Sequence, residues 1–443
     1  MKRRAAVVLF AALAAIGLSL APAGATGHRG HGHGHGRALV VDNEHRHRSC
    51  LGTRNPFQTI QRAVDDEAAV PGATIWVCPG TYTETVKVET PRLTFKGANA
   101  GRDATRSGRY RESIVHHPDP EGTVQLLADG ITWDGFTILG TAGKPNGPGM
   151  RTDPAHSGYL IRDTIFQDNG VGLRLAANGD QPSFVCRNRF VANNEFDPTG
   201  GFGIVSNQPT RQALITYNRF EDHNGGSILF SDTGVVGTHT DVLIDHNTSV
   251  RDLTFATIFS STRLRLSHND ARNRLNVPPD DASSSIYIGA RNQDIDVDRN
   301  RVRSASGNGI DVAPKGEGGR LPLAAPANVH VTGNKVGHVK LAGLHMAAGT
   351  ANVTVTGNTA LDNVTWDCQD ESGPAGGGVA GIKNTWQRNV GRTDSPNGLC
   401  AEPAPTTAAP GHDKSSHHKH KKKHKRHEQP DPCVCTEHHP RAI

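Results

Sequence analysis

From Phe184 to Asn363 one pattern keeps returning: two or three alternating apolar residues, one or two polar ones, then asparagine. It closes at Asn188, Asn218, Asn247, Asn269, Asn300, Asn334 and Asn358, with gaps of 30, 29, 22, 31, 34 and 24 residues. Three residues before each Asn stands an aliphatic side chain (Val185, Ile215, Ile244, Leu266, Val297, Val331, Val355), and the period of two around it predicts a half-buried strand ending in a turn. A second phrase follows after a variable polar segment, as in GVGLRL, GFGIVS, GGSILF, SSIYIG and GNGIDV, so each repeat holds at least two short strands. Units this small cannot bury their own apolar face and must stack around a shared core, coil on coil about 4.8 Å apart. The pattern predicts an all-β parallel β-helix. The asparagines read as a structural ladder, because Asn tolerates the left-handed backbone of a sharp turn and its amide can bond its counterpart one coil away.

Upstream, Asn55-Pro56 predicts a helix start, with Phe57, Ile60, Val64 and Ala68 on one face and Pro71-Gly72 as the stop. Thr74–Val77 opens the first coil. Residues 98–122 and 141–158 are polar or Gly/Pro-rich and read as loops. Residues 1–26 have the basic start, apolar run (Ala5 to Ala21) and small-residue cleavage site of a secretory signal. Residues 27–49 read as a His/Gly-rich flexible arm, 50–400 as the β-helix, and 401–443 as a Pro/Ala linker with a disordered His/Lys-rich tail.

The repeats resemble the right-handed parallel β-helix superfamily typified by pectin lyases, a single-stranded solenoid, over roughly Cys50 to Cys400. The stretch FQTIQRAVDDEAAVPGATIWVCPGTYTETVKVETPRLTFKG is similar to the opening of pectin methylesterases, where the helix caps the open end of the stack. That resemblance implies a fold and no activity, since the superfamily includes lyases, hydrolases, esterases, epimerases, tailspikes and non-catalytic proteins. Asp134 in WDGFTILG and Asp197 in NEFDPTGG lack the flanks of the esterase motifs, and Lys383 in GIKN lacks the partners of the polygalacturonase motif it resembles.

The formal charge of +5 changes the picture little: the basic start and residues 411–429 supply it, and the remaining body is net acidic. Such a body argues against nucleic acid as a partner. Among seven cysteines, Cys50 with Cys78 and Cys368 with Cys400 each bracket one end of the solenoid, so these pairs are the expected disulfides. Each closes a loop worth roughly 3.5 kcal/mol in the chain-entropy view. Cys186 has no evident partner and reads as a small packed residue, while Cys433 and Cys435 remain unassigned.

Aligning the repeats on the ladder asparagines places outward residues in columns. Two before the Asn the column runs Cys186, Thr216, Asp245, Ser267, Asp298, Thr332, Thr356, and four before it Phe184, Leu214, Leu243, Arg265, Asp296, His330, Thr354. Asp245 and Asp298 are then two coils apart, roughly 10 Å, a spacing that suits a hydrolytic carboxylate pair as well as a merely solubilising face. The second strands give Arg174, Val205, Leu229, Phe259, Tyr287, Asp311, His345, in which rings beside Asp and His suit a sugar platform. Catalytic candidates are therefore Asp245, Asp298 and Asp311; ligand-binding candidates are Phe259, Tyr287, His345, Asp296 and His330.

Fourteen of the 24 histidines fall in residues 28–47 or 412–439. His31, His33 and His35 can share a borderline divalent metal, the one cofactor this sequence suggests. The basic run Lys419 to Arg426 suits an anionic cell-wall polymer. Three readings follow: a secreted protein that binds and processes an extracellular, acidic polysaccharide, as a lyase or glycoside hydrolase if an enzyme; a non-catalytic wall-associated scaffold; or a metal-handling protein acting through its His-rich tails. No span beyond the signal is long and apolar enough for a bilayer.

Overall fold

The computed structural model describes residues 39–403 apart from 46, 141–146, 195–200, 279–281, 320–323, 374–378 and 380. Three parallel sheets of 13, 12 and 11 strands run the length of this body, each strand pairing with its counterpart one coil away. The architecture is a right-handed parallel β-helix of the pectin lyase-like type. The first sheet holds the strands that end at the asparagines, such as Thr210–Thr216, His239–Asp245 and Ser261–Ser267. In the second lie Gly226–Phe230, Thr254–Ile258 and Ile286–Ile288.

The third sheet was not expected. A strand of three or four residues follows each Asn turn, as in Arg189–Val191, Arg219–Glu221, Asp270–Arg272, Arg301–Ser304 and Lys335–Gly337. Its signal is one apolar or small residue two places after each Asn: Phe190, Phe220, Ser249, Ala271, Val302, Val336 and Ala360, all buried. Phe166, Phe190 and Phe220 stack face to face inside it at 4.7 and 4.9 Å. One inward residue, as in most of these strands, is too short a run to reveal a period.

The asparagine ladder is built as expected and extends to Asn389. Each side-chain amide from Asn188 to Asn358 donates to the Oδ1 of the next Asn at 2.9–3.1 Å. Backbone N–H groups donate to the same oxygens, so buried turn amides stay satisfied. The left-handed residue, however, is the one before the Asn. Arg187, Tyr217, His246, His268 and Arg299 have φ of 54, 55, 53, 53 and 53°, and Gly333 and Gly357 fill that place in later coils. The turn thus tips the Asn inward and its predecessor outward.

At the N-terminal end the helix is short, Ile60–Val64, capped by Thr59. Phe57 exchanges backbone hydrogen bonds with Val40 and Asp42, which keeps it extended and delays the helix beyond Asn55-Pro56. The Glu84 carboxylate accepts from the Ile60 and Gln61 N–H groups at 2.7 and 2.8 Å, completing the cap from a neighbouring segment. Leu39–Val41, placed in the flexible arm by composition, is a buried strand paired with Thr74–Val77. The expected loops are also partly ordered: Ser113–His116 and Pro148–Thr152 are strands of the third and second sheets.

Cys50–Cys78 and Cys368–Cys400 form, with Cα separations of 5.9 and 6.3 Å. Cys186 is buried as expected, but it is disulfide-bonded and not simply a packed thiol. Near the C-terminal end, Trp386 packs on the core and donates from Nε1 to Asp370 at 2.7 Å.

Candidate functional site

On the first sheet the two outward columns stand in the expected register. Their carboxylates are already engaged. The Arg265 guanidinium donates to both oxygens of Asp298 at 2.9 Å. Asp245 accepts from Ser267 Oγ at 2.6 Å and is bonded to Nδ1 of His246 and of His268 at 2.6 and 3.1 Å. Burial opposes its ionisation, but these three bonds outweigh that and hold the carboxyl below its usual range. An inverting hydrolytic pair needs one protonated carboxyl. Asp245, held below its usual range, does not fit that role. Asp296 and His330 pair at 3.0 Å across adjacent coils, both about half exposed.

The second-sheet column differs at one place. Leu229 faces Thr257, which faces Tyr287, so Phe259 lies beyond the strand and not in the column. Inward Ala256 and Ile258 fix the pleat, and reading Phe259 as outward-facing shifts the strand by two residues. Phe259 is buried against Tyr287 with ring centres 5.7 Å apart. Tyr287, Asp311 and His345 do follow one another on successive coils. His345 Nδ1 bonds Asp311 at 2.8 Å; Ser284 Oγ and Asn308 Nδ2 donate to the other Asp311 oxygen at 3.0 and 3.1 Å. His345 Nε2 faces Glu371 at 3.6 Å. Burial disfavours the charged imidazole, but the Asp311 bond and charge, with Glu371 adding, raise its pKa above the ordinary value. Asp311 and His345 form a largely buried Asp–His pair in the second-sheet column.

The third sheet carries the feature that sequence reasoning missed. Arg272, Arg301, Arg303, Lys335, His338 and Asp362 line a cleft of about 420 Å³. Asp270, Arg301 and Lys335 form one outward column on successive coils. Asp270 would neutralise Arg301, but the register slips after Ala271 and Arg303 is the extra residue. Arg303 grips both Asp270 oxygens at 2.7 and 2.6 Å and is the first cause that lowers that carboxyl's pKa. Asp362 is likewise taken by Arg392. Arg272, Arg301 and Lys335 are exposed and make no ion pair among the described residues.

Two further groups have structural roles. Buried Asn169, Asn193, His223 and Asp252 form a second internal ladder, with His223 Nε2 bonded to Asn193 at 3.1 Å and Nδ1 to Asp252 at 2.7 Å. Ser227 and Ser249 complete the Asp252 shell. Although it contains Ser, His and Asp, the set is sealed within the core. Asp134 is also buried and held by Arg162 at 3.0 Å, which fits its lack of esterase flanks. Among the described residues two groups have metal-ligand types together: Asp42 with Cys50 and Cys78, whose sulfurs are bonded to each other, and Asp245 with His246 and His268. His31, His33, His35 and Asp197 lie outside the described residues.

No protein-family model matches the chain and no curated protein does. Among solved structures it is similar to the catalytic unit of a GH87 α-1,3-glucanase from Streptomyces thermodiastaticus, with 14% identity over 76% of this chain and 67% of that one, TM-score 0.48. DFA-IIIase from Arthrobacter chlorophenolicus gives 13% identity over 80% and 94%, TM-score 0.46. The A-module of Azotobacter vinelandii mannuronan C-5 epimerase AlgE6 gives 14% over 78% and 73%, TM-score 0.41. At these values the similarity assigns no activity and no residue to this chain.

Proposed function

We propose that this chain is an extracellular protein that binds an acidic polysaccharide along the third-sheet cleft. One observation carries the reading: Arg301 and Lys335, successive in one outward column, make no ion pair among the described residues, and Asp270 is already held by Arg303. A column offers one side chain per coil, about every 4.8 Å, and so suits an extended, repeating ligand with regularly spaced carboxylates. The disulfides Cys50–Cys78 and Cys368–Cys400 suit an oxidising compartment outside the cytosol.

The test is binding of the full chain to polygalacturonate and alginate, with neutral dextran and duplex DNA as controls. The Arg301→Glu/Lys335→Glu variant should lose at least ~10-fold in affinity for the acidic glycans, as removing charge-assisted contacts implies. Equal binding by variant and wild type would overturn the cleft as the site.

A second reading rests on the Asp311–His345 dyad, which could move a proton at a bound sugar. Release of reducing ends or unsaturated products, abolished by Asp311→Asn with the fold intact, would establish processing at that face.

A further inference from the structure

We infer that Asp245, His246 and His268 form a binding site for a borderline divalent metal ion, on the rigid body and independent of the histidines near the termini. The backbone makes the first part of the case. His246 and His268 occupy the same left-handed turn position on successive coils, φ 53° in both, so their side chains leave the chain in the same direction. Their rings stack at 4.8 Å with a 17° tilt. Tyr217 continues the stack below His246 at 4.9 Å and 11°.

The donor atoms make the second part. Both histidines turn Nδ1 toward the same carboxylate, and one ligand atom from each of the three residues lies within 4.8 Å of the others. Arg299 Nη1 stands 3.5 Å from His268 Nε2. A metal on Nδ1 takes that nitrogen's lone pair, so the neutral ring carries its proton on Nε2 and the exposed Arg299 side chain turns aside. Ser267 Oγ, in the same column as Asp245 one coil on, donates to the carboxylate at 2.6 Å and fixes its orientation as a supporting contact does at metal centres.

Two nitrogens and one carboxylate oxygen select Zn²⁺, Cu²⁺ or Ni²⁺ over Mg²⁺ or Ca²⁺, which prefer all-oxygen shells. Two donors each about 2.1 Å from a tetrahedral ion lie roughly 3.4 Å apart, so side-chain rotations close the site without moving the coils. Exposure of 43% for His246 and 36% for His268 admits the ion and leaves room for water as the remaining ligand.

Thermal melting of the full, EDTA-stripped chain with added Zn²⁺ tests the inference despite the other histidines. Ligands close together in sequence bind folded and unfolded chains alike and do not raise Tm, whereas Asp245 and His268 meet only when adjacent coils form. Saturating Zn²⁺ should raise Tm by roughly 3–5 °C, and Mg²⁺ should not. His268→Phe keeps a ring in the stack without a ligand atom, and Asp245→Asn keeps the shape. Both should melt near wild type in EDTA and lose the Zn²⁺ shift. A shift of equal size in both variants, or none in the wild type, would overturn the site.

Discussion

Arg265 on one coil holds both carboxylate oxygens of Asp298 on the next at 2.9 Å. Asp298 is thereby the largely buried member of an ion pair. Asp298→Asn should leave affinity for acidic glycans unchanged and lower stability by about 1–3 kcal/mol, because the Asp298 carboxylate is largely buried beneath a partly exposed Arg265. Chemical denaturation alongside the binding assay checks both halves. A large loss of binding would return Asp298 to the site.

Binding in the third-sheet cleft should weaken with salt. Arg272, Arg301 and Lys335 are exposed, so their attraction to carboxylates is screened as the Debye length falls from ~10 Å at 0.1 M to ~3 Å at 1 M. Isothermal titration with polygalacturonate across that range should show falling affinity, with a shallower dependence in the Arg301→Glu/Lys335→Glu variant.

Two histidines give opposite pH signatures. Burial pushes His239 down to about 4, against ~6.5 in the unfolded chain. Its contribution to stability is present above 6.5 and lost as pH falls toward 4, by roughly 3 kcal/mol. His239→Gln should flatten that acid limb in melts between pH 7 and 4. His345 is raised, so its contribution is present below the unfolded value of ~6.5 and lost as pH rises through its folded pKa. His345→Gln should therefore cost more stability at pH 5.5 than at pH 9.

Asn269→Ala would break the ladder at its middle. The Asn247 backbone N–H and side-chain amide lose their acceptor, and Ile244 O and Asn300 Oδ1 lose a donor. Each buried group left unpaired costs about 1–3 kcal/mol, so a loss of at least ~3 kcal/mol is expected from urea unfolding. A change under 1 kcal/mol would mean that water enters the turn and replaces the amide.

The sequence by itself determined the coil. Val185 to Val355 and the asparagines after them set the period, and that period fixed which residues share a first-sheet column, down to the Asp296–His330 contact at 3.0 Å. Columns are legible because a parallel stack repeats one local conformation, so alignment in sequence becomes adjacency in space. Phe259 marks the limit: where a strand ends depends on the neighbouring coil's pleat, which no single repeat records. The third sheet was missed because most of its strands are three residues long and turn one side chain inward, too few for a period. What only the tertiary structure decided is the state of each charge. Arg303 enters through a register slip and takes Asp270, Arg265 takes Asp298, and Arg301 and Lys335 are left over. Pairing of this kind is a competition among side chains from several coils, settled by distances of an ångström or two, and composition has no access to it.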